Sequence, residues 1–379
     1  MWSVGARKPG RAGVFSVLAG LCLLLAGCIP VPQPVPPAPS PPATTSDPAA
    51  TSVRFTAQGD IGVSDGARNV LDLIAGLKPQ LNLALGDFAY EPGIEDQFCD
   101  MVKGTLGADF PYQLITGNHE SDGSDGDIDK FAACLPNRLP GLQGEYGTQW
   151  YADVPQDNPI VRFVMISPGI EFKDGQTLDY SQGSDRWQWT TAAIDGAEAA
   201  GIPWTVVGMH VPCRSMGKYA CQPGQELTNM LVEKKVDLVL AGHEHAYQRT
   251  HQIGTGDGCP RLVPNEHSAR CLADTDASMV RGNGTVFATS GAGGVGMYDI
   301  TADDPEAGYF AAVSGKNRDP AKGTLEATAT PKRLSVRFVP AQGTASPMPS
   351  PPKQSDRRPI AATRPLPVPN GRIFNAPVT

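Results

Sequence analysis

Five times along this chain a short apolar run closes beside a glycine on a residue able to bind a metal ion. The runs are VRFTAQGD ending at Asp60, QLNLALGD ending at Asp87, PYQLITGNHE with Asn118 and His119, PWTVVGMH ending at His210, and VDLVLAGHEH with His243 and His245. Short runs of this composition read as β-strands. Between them stand segments of helical character. ARNVLDLIAGLK places Val70, Leu73, Ile74 and Leu77 at helical spacing, and Glu91 to Leu106 reads as partly helical. SDRWQWTTAAIDGAEAAG has Ser184 or Asp185 as its N-cap, and GQELTNMLVEKK follows. IVRFVMISP, GTVFATSGAGG and a terminal pair in GTLEATATPKRLSVRFV, joined through Thr330 and Pro331, add further strands. Strands alternating with helices make an α/β sheet covered on its faces. In open sheets of this kind ligands sit beyond the carboxyl ends of the strands. One rule therefore places all five polar strand ends at one edge.

The residue types at that edge suit two cations. Asp60 and Asp87 offer hard anionic oxygens, and a carboxylate can bridge two ions. Asn118 offers a neutral amide oxygen, and imidazoles such as His210, His243 and His245 suit Fe, Zn and Mn. In extended chain His243 and His245 project from one side and so serve adjacent metals. Only six histidines occur in the chain, and three of them fall at strand ends with a fourth, His119, beside Asn118. Any one of them alone reads as a core histidine; the set does not.

The blocks GDIG (59–62), GDFAY (86–90), GNHE (117–120), VGMH (207–210) and GHEH (242–245) resemble the five ordered motifs of the calcineurin-like metallophosphoesterases. More narrowly they are similar to those of the purple acid phosphatases. The resemblance implies a sandwich of two mixed β-sheets flanked by helices, four layers in the order α-β-β-α. Many relatives carry Asp-x-His in the first block; Gly62 stands here instead, and Tyr90 in the GDxxY arrangement takes the vacant role. By the same resemblance Asp60, Tyr90 and His245 hold a first ion, expected to be Fe(III) because a phenolate is a hard donor. Asn118, His210 and His243 hold a second, divalent Fe, Zn or Mn, with Asp87 between the two. Such a pair lowers the pKa of a water and neutralises phosphate oxygens, which implies hydrolysis of phosphate monoesters by an activated hydroxide.

His119 follows the ligand Asn118, and its counterpart in the family acts on phosphate or on the leaving group, so it is the candidate general acid. Plant-type purple phosphatases carry further histidines after the VxxH block. Here the interval from His210 to His243 has none and holds CRSMGKYAC instead. A Cys213–Cys221 bridge would hold Arg214, Lys218 and Tyr219 beside the metals as substrate-binding residues. SGAGG (290–294) is similar to a family loop near the site, and reads equally well as a plain glycine turn.

The ends of the chain speak to compartment. Arg7, Lys8 and Arg11 precede an apolar stretch, Val14 to Ala26, of signal-peptide length. It runs into LAGC (25–28), which resembles the lipobox of bacterial lipoproteins with Cys28 as the lipidated residue. Residues 1–27 are thus expected to be a leader. Residues 28–51, rich in proline, read as an extended spacer. Residues 52–339 form the catalytic domain, and 340–379 read as a proline-rich tail without packed structure. The expected location is the extracytoplasmic side of a bacterial cell envelope. Loss of the leader takes the net charge from −8 to −11, an acidic balance that argues against nucleic-acid partners. Six cysteines remain after Cys22 and Cys28, and an even number in an exported chain suggests three disulfides. Pairing within each loop region gives 99–134, 213–221 and 259–271; a zinc site competes, without close CxxC spacing to support it.

Two alternatives differ in chemistry. A phosphodiesterase or nucleotide pyrophosphatase would use the same two metals, and a substrate panel separates them. A non-catalytic metal- or phosphate-binding lipoprotein would bind phosphate without turnover.

Overall fold

The structure is a computed structural model that describes residues 52–341 and the strand at 374–377. The leader, Cys28 and the proline-rich spacer lie outside the described residues. The first half-fold alternates: β1 (Val53–Gln58), α1 (Asp65–Leu77), β2 (Leu81–Ala84), α2 (Glu95–Leu106) and β3 (Tyr112–Leu114). Short α3 (Asn118–Ser121) and α4 (Ile128–Cys134) lead into β4 (Gln143–Glu145), β5 (Gln149–Val154) and β6 (Val161–Met165). Then come α5 (Asp185–Ala199), β7 (Trp204–Gly208), α6 (Gln225–Glu233) and β8 (Leu238–Ala241). The remaining strands are β9 (Tyr247–Thr250), β10 (Gln252–Ile253), β11 (Leu272–Asp274), β12 (Val286–Ser290), β13 (Phe310–Ser314), β14 (Gly323–Thr330), β15 (Arg333–Pro340) and β16 (Phe374–Pro377). Ser184 caps α5 as expected, its hydroxyl accepting from the Trp187 amide at 3.2 Å.

Two large mixed sheets result, ordered β16-β15-β14-β1-β2-β3 and β13-β9-β12-β8-β7-β6-β5-β4. β1, β2 and β3 run parallel in the first, and β6, β7, β8 and β12 run parallel in the second. Phe55, Leu83, Phe163, Trp204, Leu240 and Leu325 belong to one buried cluster between the sheets. A second cluster joins α5 and α6 to the outer face of the larger sheet, and a third joins α1, α2 and α4 to the smaller. This is the four-layer arrangement expected above. Each large apolar side chain buried this way contributes about 1.5–3 kcal/mol, so the sheets cannot slide without losing several such contacts. Polar ties add register: Trp150 Nε1 donates to Leu114 O at 2.8 Å, and Trp204 Nε1 to Thr330 O at 2.6 Å.

The disulfides are Cys99–Cys134, Cys213–Cys221 and Cys259–Cys271, the chain-local pairing. All six cysteines are used, which removes the zinc reading. One expectation is corrected. Phe374–Pro377, placed in a tail without packed structure, pairs antiparallel with β15, Ser335 lying opposite Asn375. β15 would otherwise be a sheet edge, and an edge offers backbone groups that accept a strand whatever its apolar content. Among the described residues no helix is long and apolar enough to cross a membrane.

Candidate metal centre

The carboxyl ends of β1, β2, β3, β7 and β8 meet where the two sheets face one another. The chain turns sharply at each. Asp60, Asp87 and His243 adopt φ of 59°, 57° and 66°, a left-handed conformation uncommon outside glycine. Gly86 has φ 87°, and a Cβ there would stand 2.6 Å from Gly117 N and from His210 Nδ1. The crossing of the two strand ends therefore requires glycine.

Two donor sets share Asp87. In the first, the Tyr90 hydroxyl lies 3.4 Å from Asp60 Oδ1, Asp87 Oδ2 and His245 Nε2, and His245 Nε2 lies 3.4 Å from Asp60 Oδ1. In the second, His210 Nε2 lies 3.2 Å from Asp87 Oδ1, 3.1 Å from Asn118 Oδ1 and 3.2 Å from His243 Nδ1. Donors bonded at about 2.0–2.2 Å to one small cation stand at roughly these separations from each other. The seven residues read from the sequence as ligands are thus brought together in two groups, with one Asp87 oxygen facing each.

A second layer orients them. His210 Nδ1 donates to Leu85 O at 2.7 Å and His245 Nδ1 to Gly296 O at 2.8 Å, which turns each Nε2 inward. Glu120 accepts from the amides of Asp87, Phe88 and Gly117 at 3.0, 3.1 and 2.6 Å, fixing the GDF and GNH turns to one another. His119 Nδ1 lies 2.6 Å from Asp125 Oδ2, and its Nε2 is 3.8 Å from Asp87 Oδ2. The segment 290–294 closes the floor, with Gly59 N donating to Ser290 O at 2.9 Å and Gly293 N to Gly59 O at 3.1 Å.

Electrostatics agree with a cation site. Burial pushes Asp60 up. Burial also pushes Asp87 up, but His210 and His119 outweigh it and hold the carboxyl at about 2. Burial works against a charged His210, yet Asp87 and Asp60 carry it up to about 10. Burial, then Asp60 and Asp87, hold the Tyr90 phenol far above its ordinary range, so a phenolate there requires a neighbouring cation of high charge. Asp60 Oδ2 and His243 Nε2 are buried without a protein partner. The set is hard oxygens plus imidazoles, converging and under-satisfied, and it fits two small metal ions.

The substrate-binding residues divide. Tyr219 stacks on His243, and Lys218 lies against the Tyr219 ring, its Nζ 4.7 Å from the centroid. Arg214 is corrected: it is 1% exposed, pairs with Glu306 and donates to Val263 O at 3.0 Å. A buried guanidinium keeps the carboxylate that offsets its desolvation, so it does not turn to the substrate. Sequence reasoning passed over Tyr298, which stacks on His245 with centroids 3.9 Å apart, and Asp125, the partner of His119. Neither has a sequence signal: Asp125 is one acid among several in SDGSDGD, and Tyr298 lies far along the chain.

The family model described as calcineurin-like phosphoesterase matches residues 53–247, which hold all five strand-end motifs. Purple acid phosphatase 18 of Arabidopsis thaliana is 25% identical over 223 residues, covering 56% of this chain and 48% of the relative. Phosphoenolpyruvate phosphatase of Allium cepa is 25% identical over 218 residues, covering 53% and 43%. The chain thus spans about half the length of the curated relatives it matches. The purple acid phosphatase from yellow lupin seeds shares the fold, with a TM-score of 0.59 at 16% identity over 87% of this chain and 54% of that one.

Proposed function

The chain belongs to the calcineurin-like phosphoesterase family, and from that premise we propose that it is a phosphatase of purple acid phosphatase type acting on phosphate monoesters. The observation that carries this reading is the pair of donor sets sharing Asp87. Asp60, Tyr90 and His245 would hold one ion, Asn118, His210 and His243 the other. Two bound cations supply an acidified water and charge neutralisation on the phosphate oxygens.

The side chains do the rest. Leu85 O and Gly296 O hold His210 and His245 in the tautomer that presents Nε2. His119 donates an Nδ1 hydrogen bond to Asp125, which holds the ring with Nε2 on the side facing Asp87, 3.8 Å from Oδ2. From that position Nε2, in the protonated ring, gives its proton to the leaving alkoxide and takes one back from solvent.

Tyr90 makes Fe(III) the expected first ion, and Fe, Zn or Mn the second. Metal analysis of the purified protein, with a panel of phosphomonoesters and diesters, tests the reading. The oxidised protein is expected to be coloured by phenolate-to-iron charge transfer, and Tyr90→Phe to abolish the visible band while the fold persists. A colourless, iron-free and fully active protein would remove the purple assignment and leave the wider family one.

The reading includes export and lipid anchoring at Cys28, on the outer side of the membrane. Three disulfides support an oxidising compartment. Cys28→Ala is expected to release active protein from membranes on fractionation; tight association of that variant counts against the anchor.

A further inference from the structure

The Cys213–Cys221 loop brings to the mouth of the site a cation that neither donor set uses. Tyr219 stacks on His243 with centroids 4.0 Å apart, and Tyr298 on His245 with centroids 3.9 Å apart. The two tyrosine rings meet edge to face with centroids 6.3 Å apart. Lys218 Nζ stands 4.7 Å from each tyrosine centroid. One face of each ring is covered by its histidine, so the ammonium rests on the other, one ring layer outward from the metal-binding side chains.

The loop is held firmly and the lysine is not. Glu244, between the two histidines of GHEH, accepts from the amide of Tyr219 at 2.6 Å. Met216 N donates to Gln248 Oε1 at 2.7 Å. Lys218 itself is exposed and forms no ion pair among the described residues, in a chain of net charge −8. Exposed cation–π contact is worth about 0.5–1 kcal/mol. Ordering a lysine side chain costs about 1.5–2 kcal/mol. The rings alone therefore define the direction of the ammonium without fixing it, and an anion completes the site.

We propose that Lys218 is a specificity-determining residue for substrates whose leaving group carries a second negative charge, a phosphate or a carboxylate. The proposal rests on the phosphoesterase reading above. The transferred phosphate belongs to the two donor sets. An anion on the leaving group lies one group further out, on the side where Tyr219 and Tyr298 hold the ammonium.

The test compares phenyl phosphate with 4-carboxyphenyl phosphate and pyrophosphate on metal-loaded protein, Lys218→Met and Lys218→Arg. The ratio of kcat/KM for charged over neutral leaving groups is expected to fall about five- to tenfold in the Met variant and to survive in the Arg variant. Added salt should erode the wild-type ratio and leave that of the Met variant flat. The two charged substrates separate phosphate from carboxylate recognition. An unchanged ratio in Lys218→Met overturns the proposal. If no substrate is turned over, the phosphoesterase reading has failed, and calorimetric binding of pyrophosphate against phosphate decides the lysine. Lys218→Met must then weaken pyrophosphate more than phosphate, and equal weakening or none overturns the assignment.

Discussion

Asp87→Asn is expected to lower kcat by about 10²–10³-fold, some 3–4 kcal/mol of transition-state stabilisation, and to leave fewer than two metal ions per chain. Asp87 is the one residue whose oxygens face both donor sets, Oδ2 beside Tyr90 and Oδ1 beside His210. Asparagine is the informative replacement because the backbone there has φ 57°. Asparagine tolerates the left-handed region better than most residues, whereas alanine would add strain. The amide keeps the shape and loses the charge. Thermal unfolding should shift little, since the backbone amides of Asp87 and Phe88 remain bound to Glu120. Metal content by elemental analysis and turnover of an aryl phosphate read the two consequences separately. Retention of two ions and of half the activity would show that Asp87 does not bridge.

His119→Ala is expected to slow alkyl phosphates by about 10²–10³-fold and aryl phosphates by about tenfold or less. An alkoxide needs a proton as it leaves, and a phenolate with electron-withdrawing groups does not. Asp125 accepts from His119 Nδ1 and so turns Nε2, the atom that would hand over a proton, to the side of Asp87. Asp125→Asn should give the same pattern more weakly, because an amide that can turn its NH2 to Nδ1 no longer holds the ring in one orientation. Single-turnover rates on matched alkyl and aryl esters separate chemistry from release. Equal losses on the two classes would take His119 out of the acid role and point to Tyr219 or a metal-held water.

Much of this was legible from local composition. β1, β2, β7 and β8 are short and carry apolar or β-branched residues, and each reads as a strand. β9, with sequence YQRT, does not. All four of its residues are buried, yet its middle is polar. Gln248 is satisfied by Met216 N and Ser215 Oγ, partners in the Cys213–Cys221 loop. A strand that buries amides looks like a surface loop until the distant segment satisfying it is known. The disulfides were legible for the opposite reason, since each joins cysteines on one stretch of chain.

Arg214 and Lys218 mark the boundary most clearly. Four residues apart in one small loop, they read from the sequence, together with Tyr219, as substrate-binding residues beside the metals. Glu306, far along the chain, takes Arg214 into the interior, while Tyr219 and Tyr298 turn Lys218 outward. By itself the sequence determined the apolar strands β1, β2, β3, β7 and β8 and the candidate ligands that follow them, because strand and helix periodicity is local and parallel strands share an edge. Only the tertiary structure decided where the loop side chains point. That direction depends on burial and on partners such as Asp125, Tyr298 and Glu306, whose approach no local pattern encodes.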